Sequence, residues 1–467
     1  MTSIRLFKHY VRIPFIILGL LEAMICIASI YSAVEIRYNP GQFYSESVTR
    51  DLLLIKAIIF AVVLSTSMAA MGLYQAQMRE GLIGYLLRLV ASFLLSLVGL
   101  SLIFYAFPNV FLGRGVLIIA FIISFLAMSV LRKLTITIDP DIFKRRIVVL
   151  GTGEKANTIT QLRRKADQVG FNIIGFIHVR GENDVVDAKK IININSALHD
   201  FSAEHDIDEI VLAVDDRRKG FPMHDLLDCK MRGFDVVDIQ SFFERETGKI
   251  RVDLLHPSWL VFSDGFHQSP MREYTKRGFD VIVSMLLLSV TWPFMLLTTI
   301  AIVLESGPKA PIFFRQVRVG EGGKPFQVLK FRSMKVDAEK DGRAVWATKN
   351  DSRVTKVGGF IRKVRIDELP QIFNVVRGDM SFVGPRPERP EFVVELSDKI
   401  PYYQERHHKK PGITGWAQLC YPYGSSERDA LEKLQYDLYY VKNYSLFLDF
   451  LILLRTAEVV LFGKGAR

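Results

Sequence analysis

The chain has 467 residues, 49% of them hydrophobic, with 60 Lys and Arg against 49 Asp and Glu and a formal net charge of +11. The balance is uneven: residues 1–135 carry 11 basic and 5 acidic residues among long apolar runs, and the rest carries 49 and 44. This excludes a purely soluble protein, a disordered chain and a collagen-like one, and at roughly 150 residues per domain it predicts three units.

Four apolar stretches come first, Ile13–Ile36, Ile58–Tyr74, Leu82–Phe107 and Phe111–Leu131. Each approaches the ~20 residues that cross a bilayer. Basic residues sit before the first (Arg5, Lys8, Arg12), between the second and third (Arg79, Arg88) and after the fourth (Arg132, Lys133, Lys144 to Arg146). The positive-inside rule then places the N-terminus and everything after residue 132 in the cytoplasm. The basic excess there reads as membrane orientation, not nucleic-acid binding. The first run is too long for a cleavable signal peptide and lacks a small-residue cleavage pattern. Glu22 lies inside the first span and is open to two readings, a packing acid or a proton relay. The three cysteines, Cys26, Cys229 and Cys420, form no CxxC pair, so neither a zinc ribbon nor a disulfide framework is expected.

The next segment, Arg146-Ile-Val-Val-Leu-Gly151-Thr-Gly153-Glu-Lys-Ala156, is a β-branched run opening into Gly-x-Gly-x-x-Ala and a helical pattern reaching Gln168. Phe171–Val179 and Glu209–Val214 read as further strands, which predicts a Rossmann-like module. A dinucleotide site wants an acid at the end of the second strand. That strand ends His178-Val179-Arg180, with the first acid at Glu182. Gly151 and Gly153 are therefore weak cofactor-binding candidates beside a structural or regulatory reading.

After a linker containing His256-Pro257 and Ser269-Pro270 comes a fifth apolar run, Val281–Leu304, interrupted by Pro293. Its length says transmembrane helix. Its flanks disagree, with Lys276 and Arg277 before it and Lys309, Arg315 and Arg318 after. A helix that enters the bilayer, bends at Pro293 and returns satisfies both, with Ser289, Thr291 and Trp292 near the carbonyls that proline frees. A spanning helix remains the other reading. The last run, Ser445–Phe462, holds Asp449, Arg455 and Glu458. A charge at mid-bilayer costs about 2.5–3.5 kcal/mol, so a surface-lying or core-packed helix is expected instead.

The densest group of polar, glycine and proline signals lies between 326 and 418. It comprises Lys330-Phe331-Arg332-Ser333-Met334, Asp351-Ser-Arg353, Arg362-Lys-Val-Arg365-Ile-Asp367-Glu368-Leu369-Pro370-Gln371, Gly378-Asp379-Met380-Ser381, Gly384-Pro385-Arg386-Pro387 and Pro411-Gly412-Ile-Thr414-Gly415-Trp416-Ala-Gln418. Cations surround one adjacent carboxylate pair. Arginine matches phosphate oxygens with a two-pronged fork, and prolines on both sides of Arg386 preorganise it. Adjacent carboxylates can hold a divalent metal, or one can attack phosphorus. Each element also has a plainer reading: Asp367 as a helix N-cap, Lys330 and Arg332 as a solvated strand face, Arg386 as a loop residue. His407 and His408 are adjacent and point apart, so joint metal ligation is not expected.

These motifs, in this order and spacing, resemble the bacterial sugar transferase family, the polyprenyl-phosphate hexose-1-phosphate transferases, over residues 272–467. The four spans and Rossmann-like middle are similar to its long exopolysaccharide branch. Gly-Pro-Arg-Pro-Glu-Arg-Pro (384–390) and the terminal Lys-Gly-Ala-Arg (464–467) resemble members associated with PEP-CTERM systems. The resemblance implies transfer of a hexose-1-phosphate from a nucleoside-diphosphate sugar, a UDP-sugar by expectation, to undecaprenyl phosphate with release of the nucleoside monophosphate, and magnesium (Mg2+) as cofactor. It implies Asp367 as nucleophile and Glu368 as its partner in holding metal and phosphate. Arg362, Arg386, Lys330 and Arg332 become phosphate-binding candidates, and Pro293 the break of a re-entrant helix on the cytosolic face. The architecture expected is thus a multi-pass inner-membrane protein of α and α/β parts. Four transmembrane helices occupy 1–135, a Rossmann-like cytosolic domain 136–265, and a small α+β catalytic domain 266–467, its re-entrant helix at 281–304. Membrane lipids, and a second copy of the chain in a homodimer, are the expected partners, with no nucleic acid.

Two departures matter. The family's helix break is often Ser-Pro, but here it is Trp292-Pro293. After Gly-Trp-Ala-Gln many members carry Asn-Gly-Arg; this chain reads Leu419-Cys420-Tyr421-Pro422-Tyr423-Gly424, which leaves the sugar open. A rival reading is a membrane-anchored NAD-dependent dehydratase or epimerase. That chemistry uses Tyr-x-x-x-Lys, and none of the 16 tyrosines has Lys four residues on. A non-enzymatic scaffold would need neither the Asp-Glu nor the Pro-Arg-Pro motif.

Overall fold

The computed structural model of the chain describes residues 3–6, 9–38, 47–71, 73–74, 82–137, 144–162, 170–194, 196–216, 218, 220–255, 259, 270–336, 353–421, 424, 426 and 427–461. Expectations resting on Lys8, Arg79, His256-Pro257, Ser269, Asp351, Pro422, Tyr423 and the terminal 464–467 lie outside them. The contacts divide the chain into two compact units, one ending at Thr247 and one beginning at Gly248.

Two short strands, β1 (Ser3–Leu6) and β2 (His9–Arg12), precede the four apolar helices of the first unit: α1 (Ile13–Arg37), α2 (Ser47–Ala70), α3 (Leu82–Ala106) and α4 (Arg114–Thr137). Each contains a stretch long and apolar enough to cross a membrane. The second helix begins earlier than hydropathy suggested. Lys56 breaks the apolar run in sequence yet stays within the helix, its ammonium donating to the Phe111 carbonyl at 3.0 Å. Cys26, Ile30, Phe60, Leu64, Leu89, Leu100 and Met128 form the core between these helices. Glu22 belongs to this core. Arg132 of α4 grips its carboxylate with Nε at 2.6 Å and Nη2 at 3.1 Å, and gives Nη1 to the Leu73 carbonyl. Both side chains are buried, and the pair ties α1 to α4, as the packing reading of Glu22 expects.

The same unit holds a five-stranded parallel sheet of order β5-β4-β3-β6-β7, made of β3 (Arg145–Leu150), β4 (Phe171–Ile177), β5 (Ile191–Ile192), β6 (Glu209–Leu212) and β7 (Asp235–Asp238). The intervening helices are α5 (Glu154–Thr160), α6 (Leu198–Glu204) and α7 (Met223–Met231), with α8 (Ile239–Thr247) after the last strand. The chain reverses its strand order beside β3, the doubly wound arrangement expected of a Rossmann-like module.

The second unit opens with residues packed under a tyrosine-rich helix: Ile250 and Val252 join Trp416, Tyr436, Tyr439 and Tyr440 in one core. By contacts this unit begins at Gly248, ahead of the 266 expected for the catalytic domain. Helix α9 (Pro270–Ser306) follows, then a hairpin of β8 (Phe313–Val319) and β9 (Pro325–Phe331), and α10 (Lys356–Lys363). Next come α11 (Gln371–Arg377), β10 (Ser381–Val383), α12 (Pro390–Lys399), β11 (Gly412–Thr414), α13 (Trp416–Cys420), α14 (Glu427–Asn443) and α15 (Leu446–Leu461). Strands β10 and β11 pair in parallel. A Cβ on Gly412 would lie 2.1 Å from the Gly384 nitrogen, so this pairing depends on glycine.

Helix α9 is continuous through Pro293. The hydroxyls of Ser289 and Thr291 donate to the carbonyls of Leu286 and Leu287, seven and six residues before the proline, and not to the Ser289 carbonyl whose donor Pro293 removes. The other apolar run, α15, is core-packed. Leu448, Asp449 and Ile452 are fully buried. The Asp449 carboxylate meets Lys276 of α9 at 2.7 Å and the Tyr440 hydroxyl at 2.8 Å, which explains a charge inside an apolar helix.

Candidate active site

Strand β9 ends at Lys330-Phe331, and Arg332 continues it with its backbone N–H on the Ile312 carbonyl. Helix α10 starts against this strand end. Thr355 caps it by accepting from the Gly358 N–H at 2.9 Å, and a Cβ on Gly358 would lie 1.9 Å from the Ser333 carbonyl oxygen. After α10 the chain turns at Arg365, a non-glycine residue with φ of 62°. Such a left-handed residue is uncommon, and the strain it carries fits a site where side-chain placement matters. A single 3-10 turn, Ile366–Glu368, then presents the carboxylate pair.

Asp367 is not the N-cap of the next helix. Pro370 holds that position and no side chain caps it. Asp367 Oδ1 is instead buried with no hydrogen-bond partner among the described residues. Glu368 is the opposite. Lys330 Nζ donates to Glu368 Oε1 at 2.9 Å, and Arg386 Nη2 reaches the same oxygen at 3.2 Å. The two neighbours titrate apart. Burial, then the adjacent Glu368 charge, pushes Asp367 up to about 6, against the pull of Lys330, Arg362 and Arg365. Burial opposes the ionised form of Glu368 too, but Lys330, Arg386 and Arg365 together hold it far below the usual carboxylate range. Burial also moves Lys330 down, opposed by Glu368.

The expected residues therefore divide into two groups. Lys330, Glu368 and Arg386 are brought into direct contact, with Asp367 and Arg362 beside them. Arg332 makes no hydrogen bond to either carboxylate; its guanidinium Nε is buried without a partner among the described residues. A recess lined by Arg318, Val328, Lys330, Gln371, Arg386, Pro387 and Gly412 lies next to Glu368. Arg318 was not singled out in sequence. Burial, with the charges of Arg386 and Arg389, brings it down to about 10 against the pull of Glu388; with Lys330 and Arg386, Arg318 gives the recess three cationic side chains. Arg406 was also missed. It sits just before His407 and His408, and nothing in the spacing distinguishes it from the basic run it opens. His407 is buried, and burial with the Arg406 and His408 charges holds it down at about 4. No cluster of three or more His, Cys, Asp or Glu occurs among the described residues.

In the other unit, the turn after β3 has the expected geometry but an occupied site. Gly151 has φ of 124°, and a Cβ there would meet the Ala213 carbonyl oxygen at 2.6 Å. A Cβ on Gly153 would lie 2.0 Å from Asp215 Oδ2. The Asp215 carboxylate accepts from the N–H groups of Glu154 and Lys155 at 2.8 and 2.9 Å. Glu182, the first acid after β4, accepts from the N–H groups of Thr152 and Asp215. The donors that would face a pyrophosphate are already satisfied by carboxylates.

Residues 271–463 match the bacterial sugar transferase family, and residues 69–219 match a CoA-binding domain. A UDP-glucose:undecaprenyl-phosphate glucose-1-phosphate transferase of Escherichia coli K12 is 33% identical over 337 residues, 69% of either chain. The chain belongs to the bacterial sugar transferase family. Other relatives match a shorter part. A UDP-N-acetylgalactosamine-undecaprenyl-phosphate N-acetylgalactosaminephosphotransferase of Aeromonas hydrophila is 43% identical over 51% of this chain and 55% of its own. A UDP-glucose:undecaprenyl-phosphate glucose-1-phosphate transferase of Klebsiella pneumoniae is 46% identical over 41% of each. The match to the family begins one residue after α9 does, so the apolar helix and the carboxylate site fall within one family segment.

Proposed function

We propose that the chain transfers a hexose-1-phosphate from a UDP-sugar to undecaprenyl phosphate and releases UMP, as the first membrane step of exopolysaccharide assembly. The observation that carries this is the division of labour in the carboxylate pair. Glu368 is locked ionised between Lys330 and Arg386, while Asp367 keeps a buried oxygen without a partner. An Asp367 oxygen attacks the phosphorus that bears the sugar, and the bond from that phosphorus to the bridging oxygen breaks. UMP leaves with the electron pair. A phosphate oxygen of the lipid then attacks the same phosphorus, and the Asp367 carboxylate departs unchanged. Lys330 and Arg386 offset the charge that gathers on the phosphates.

The donor set also suits magnesium. Two adjacent carboxylates offer hard oxygen ligands, one of them the unpartnered Asp367 Oδ1. Without a third acid among the described residues, substrate phosphate and water would complete the shell. Bound there, the ion would supply charge neutralisation.

The reading includes a re-entrant α9 that stays on the cytoplasmic face of the inner membrane. Both ends of the helix are held by the same unit. Arg277 donates to the carbonyls of Val375 and Val376, and Glu305 accepts from the N–H groups of Lys356 and Val357. Between them Leu288, Met295 and Ile302 pack with Phe331 and Ile361. Contacts of both helix ends with one catalytic unit support a reading in which those ends share one side of the ~30 Å hydrocarbon layer. The opposite face presents Leu286, Val290, Leu297 and Leu304, exposed and suited to lipid. Purified protein incubated with UDP-glucose or UDP-N-acetylgalactosamine, undecaprenyl phosphate and magnesium tests the reading. UMP release dependent on Asp367 supports it, and no release with either donor counts against it.

A further inference from the structure

Four successive carbonyls of the loop that carries Arg386 each have a donor. Backbone N–H groups serve the outer two, Gly412 to the Pro385 oxygen and Val319 to the Glu388 oxygen, at 2.9 Å each. Arginine side chains serve the inner two. Arg406 Nη2 donates to the Arg386 oxygen at 3.0 Å, and Arg318 Nη1 to the Pro387 oxygen at 3.1 Å.

Both arginines are themselves fixed. Arg406 is 5% exposed, gives Nη1 to the Tyr403 hydroxyl at 2.9 Å and forms an ion pair with Asp437 of α14 at 2.7 Å. Asp437 is buried as well. Arg318 donates from Nε and Nη2 to Gln316 Oε1 and lies 3.6 Å from the Glu388 carboxylate. Prolines 385 and 387 limit the backbone torsions but donate nothing. The height of this loop above Glu368 is therefore set from outside it, by two guanidinium groups and two backbone N–H groups.

We propose that Arg406 and Arg318 are positioning residues that hold the Arg386 backbone, so that the Arg386 guanidinium stays on Glu368 and on the phosphate. The proposal rests on the sugar-phosphate transfer reading for its consequence, but its cause lies in the loop alone. A misplacement near 1 Å at such a group can cost about a hundredfold in rate.

The test uses the full-length protein carrying Arg406→Lys, Arg318→Lys, Arg386→Lys and the two doubles with Arg386→Lys. Lysine keeps the charge facing Asp437 or Glu388 but loses the fork. Hydrogen exchange of the 384–389 segment reads the loop directly, whatever the substrate. Either single variant should speed it by about tenfold or more while the global melting temperature moves by only a few degrees. In UMP release, each of Arg406→Lys and Arg318→Lys should lower kcat/KM by about tenfold or more. Each double should fall within about threefold of Arg386→Lys alone, because both substitutions remove the same interaction. Unchanged exchange in both variants overturns the proposal, and so do doubles whose losses multiply. If Arg406→Lys does not fold, Arg318→Lys carries both arms. Absence of wild-type turnover with UDP-glucose and UDP-N-acetylgalactosamine counts against the transfer reading, while the exchange arm still decides whether the arginines hold the loop.

Discussion

Asp367 and Glu368 are adjacent, yet their surroundings give them opposite costs. Asp367 titrates near 6 instead of the ordinary 3.8. The folded state therefore binds a proton more tightly than the unfolded chain between these values, and stability falls as pH rises through that window. Above it the ionised side chain costs folding about 3 kcal/mol at most. Asp367→Asn, measured in chelator at pH 7.5, should leave the melting temperature unchanged or raised. The same variant should lose about a thousandfold or more of its UMP release. Glu368 shifts the other way, so its charge stabilises the fold above the ordinary glutamate range and that contribution is lost as pH falls. Glu368→Gln should lower the melting temperature at neutral pH. His407 supplies a separate titration. Held near 4 against an ordinary 6.5, its neutral form adds stability that is complete above pH 6.5 and lost as pH falls towards 4. The effect is about 3 kcal/mol at most, so His407→Gln should flatten the fall in melting temperature over that range. Lys330, Asp367, Glu368 and Arg386 were legible in sequence because they stand in short motifs with glycine and proline around them. Arg406 and Arg318 were not, since their roles come from tertiary contacts with Asp437 and Gln316 that no local spacing encodes.

At the scale of elements, buried charges explain where apolar helices sit. In α1 and α4 the Glu22–Arg132 pair is sealed among apolar side chains. Removing one partner of such a pair costs about 3–5 kcal/mol, whereas replacing both by apolar groups is often neutral. Glu22→Met should therefore lower thermal stability, and adding Arg132→Met should restore most of it. A proton relay would instead lose activity with stability intact. The Asp449 contact with Lys276 and Tyr440 accounts for α15 in the same way, and hydropathy with three charges could narrow that helix only to two readings. In the middle module the strand pattern gave the parallel sheet, but not that Asp215 would cap the Gly-x-Gly turn. Added NAD or coenzyme A should not shift the melting temperature of the full-length protein. Gly153→Val should destabilise it, because the branched side chain meets the Asp215 carboxylate.

At the scale of the whole molecule, the central topological question is α9. A spanning helix would carry Asp367 and Arg386 away from cytosolic nucleotide sugars. It would also translocate a segment with Lys309, Arg315, Arg318, Lys324, Lys330 and Arg332 against the positive-inside preference. Lys276 is engaged with Asp280 and Asp449, so Tyr274, exposed about two turns before the apolar run, is the better probe site. With Cys26, Cys229 and Cys420 replaced, cysteines at Tyr274 and at the exposed Lys309 should both resist an impermeant thiol reagent in intact cells. Labelling at Lys309 alone would mean a spanning helix. The central claim is chemical, that Asp367 takes the sugar phosphate before the lipid does. Its most direct test is a single turnover with a UDP-sugar labelled at the sugar-bearing phosphate and no undecaprenyl phosphate present. Wild-type protein should release about one UMP per chain and retain the label, which undecaprenyl phosphate then discharges, and Asp367→Asn should retain none. A wild-type protein that turns over with the lipid but neither releases UMP nor holds label without it would contradict the account.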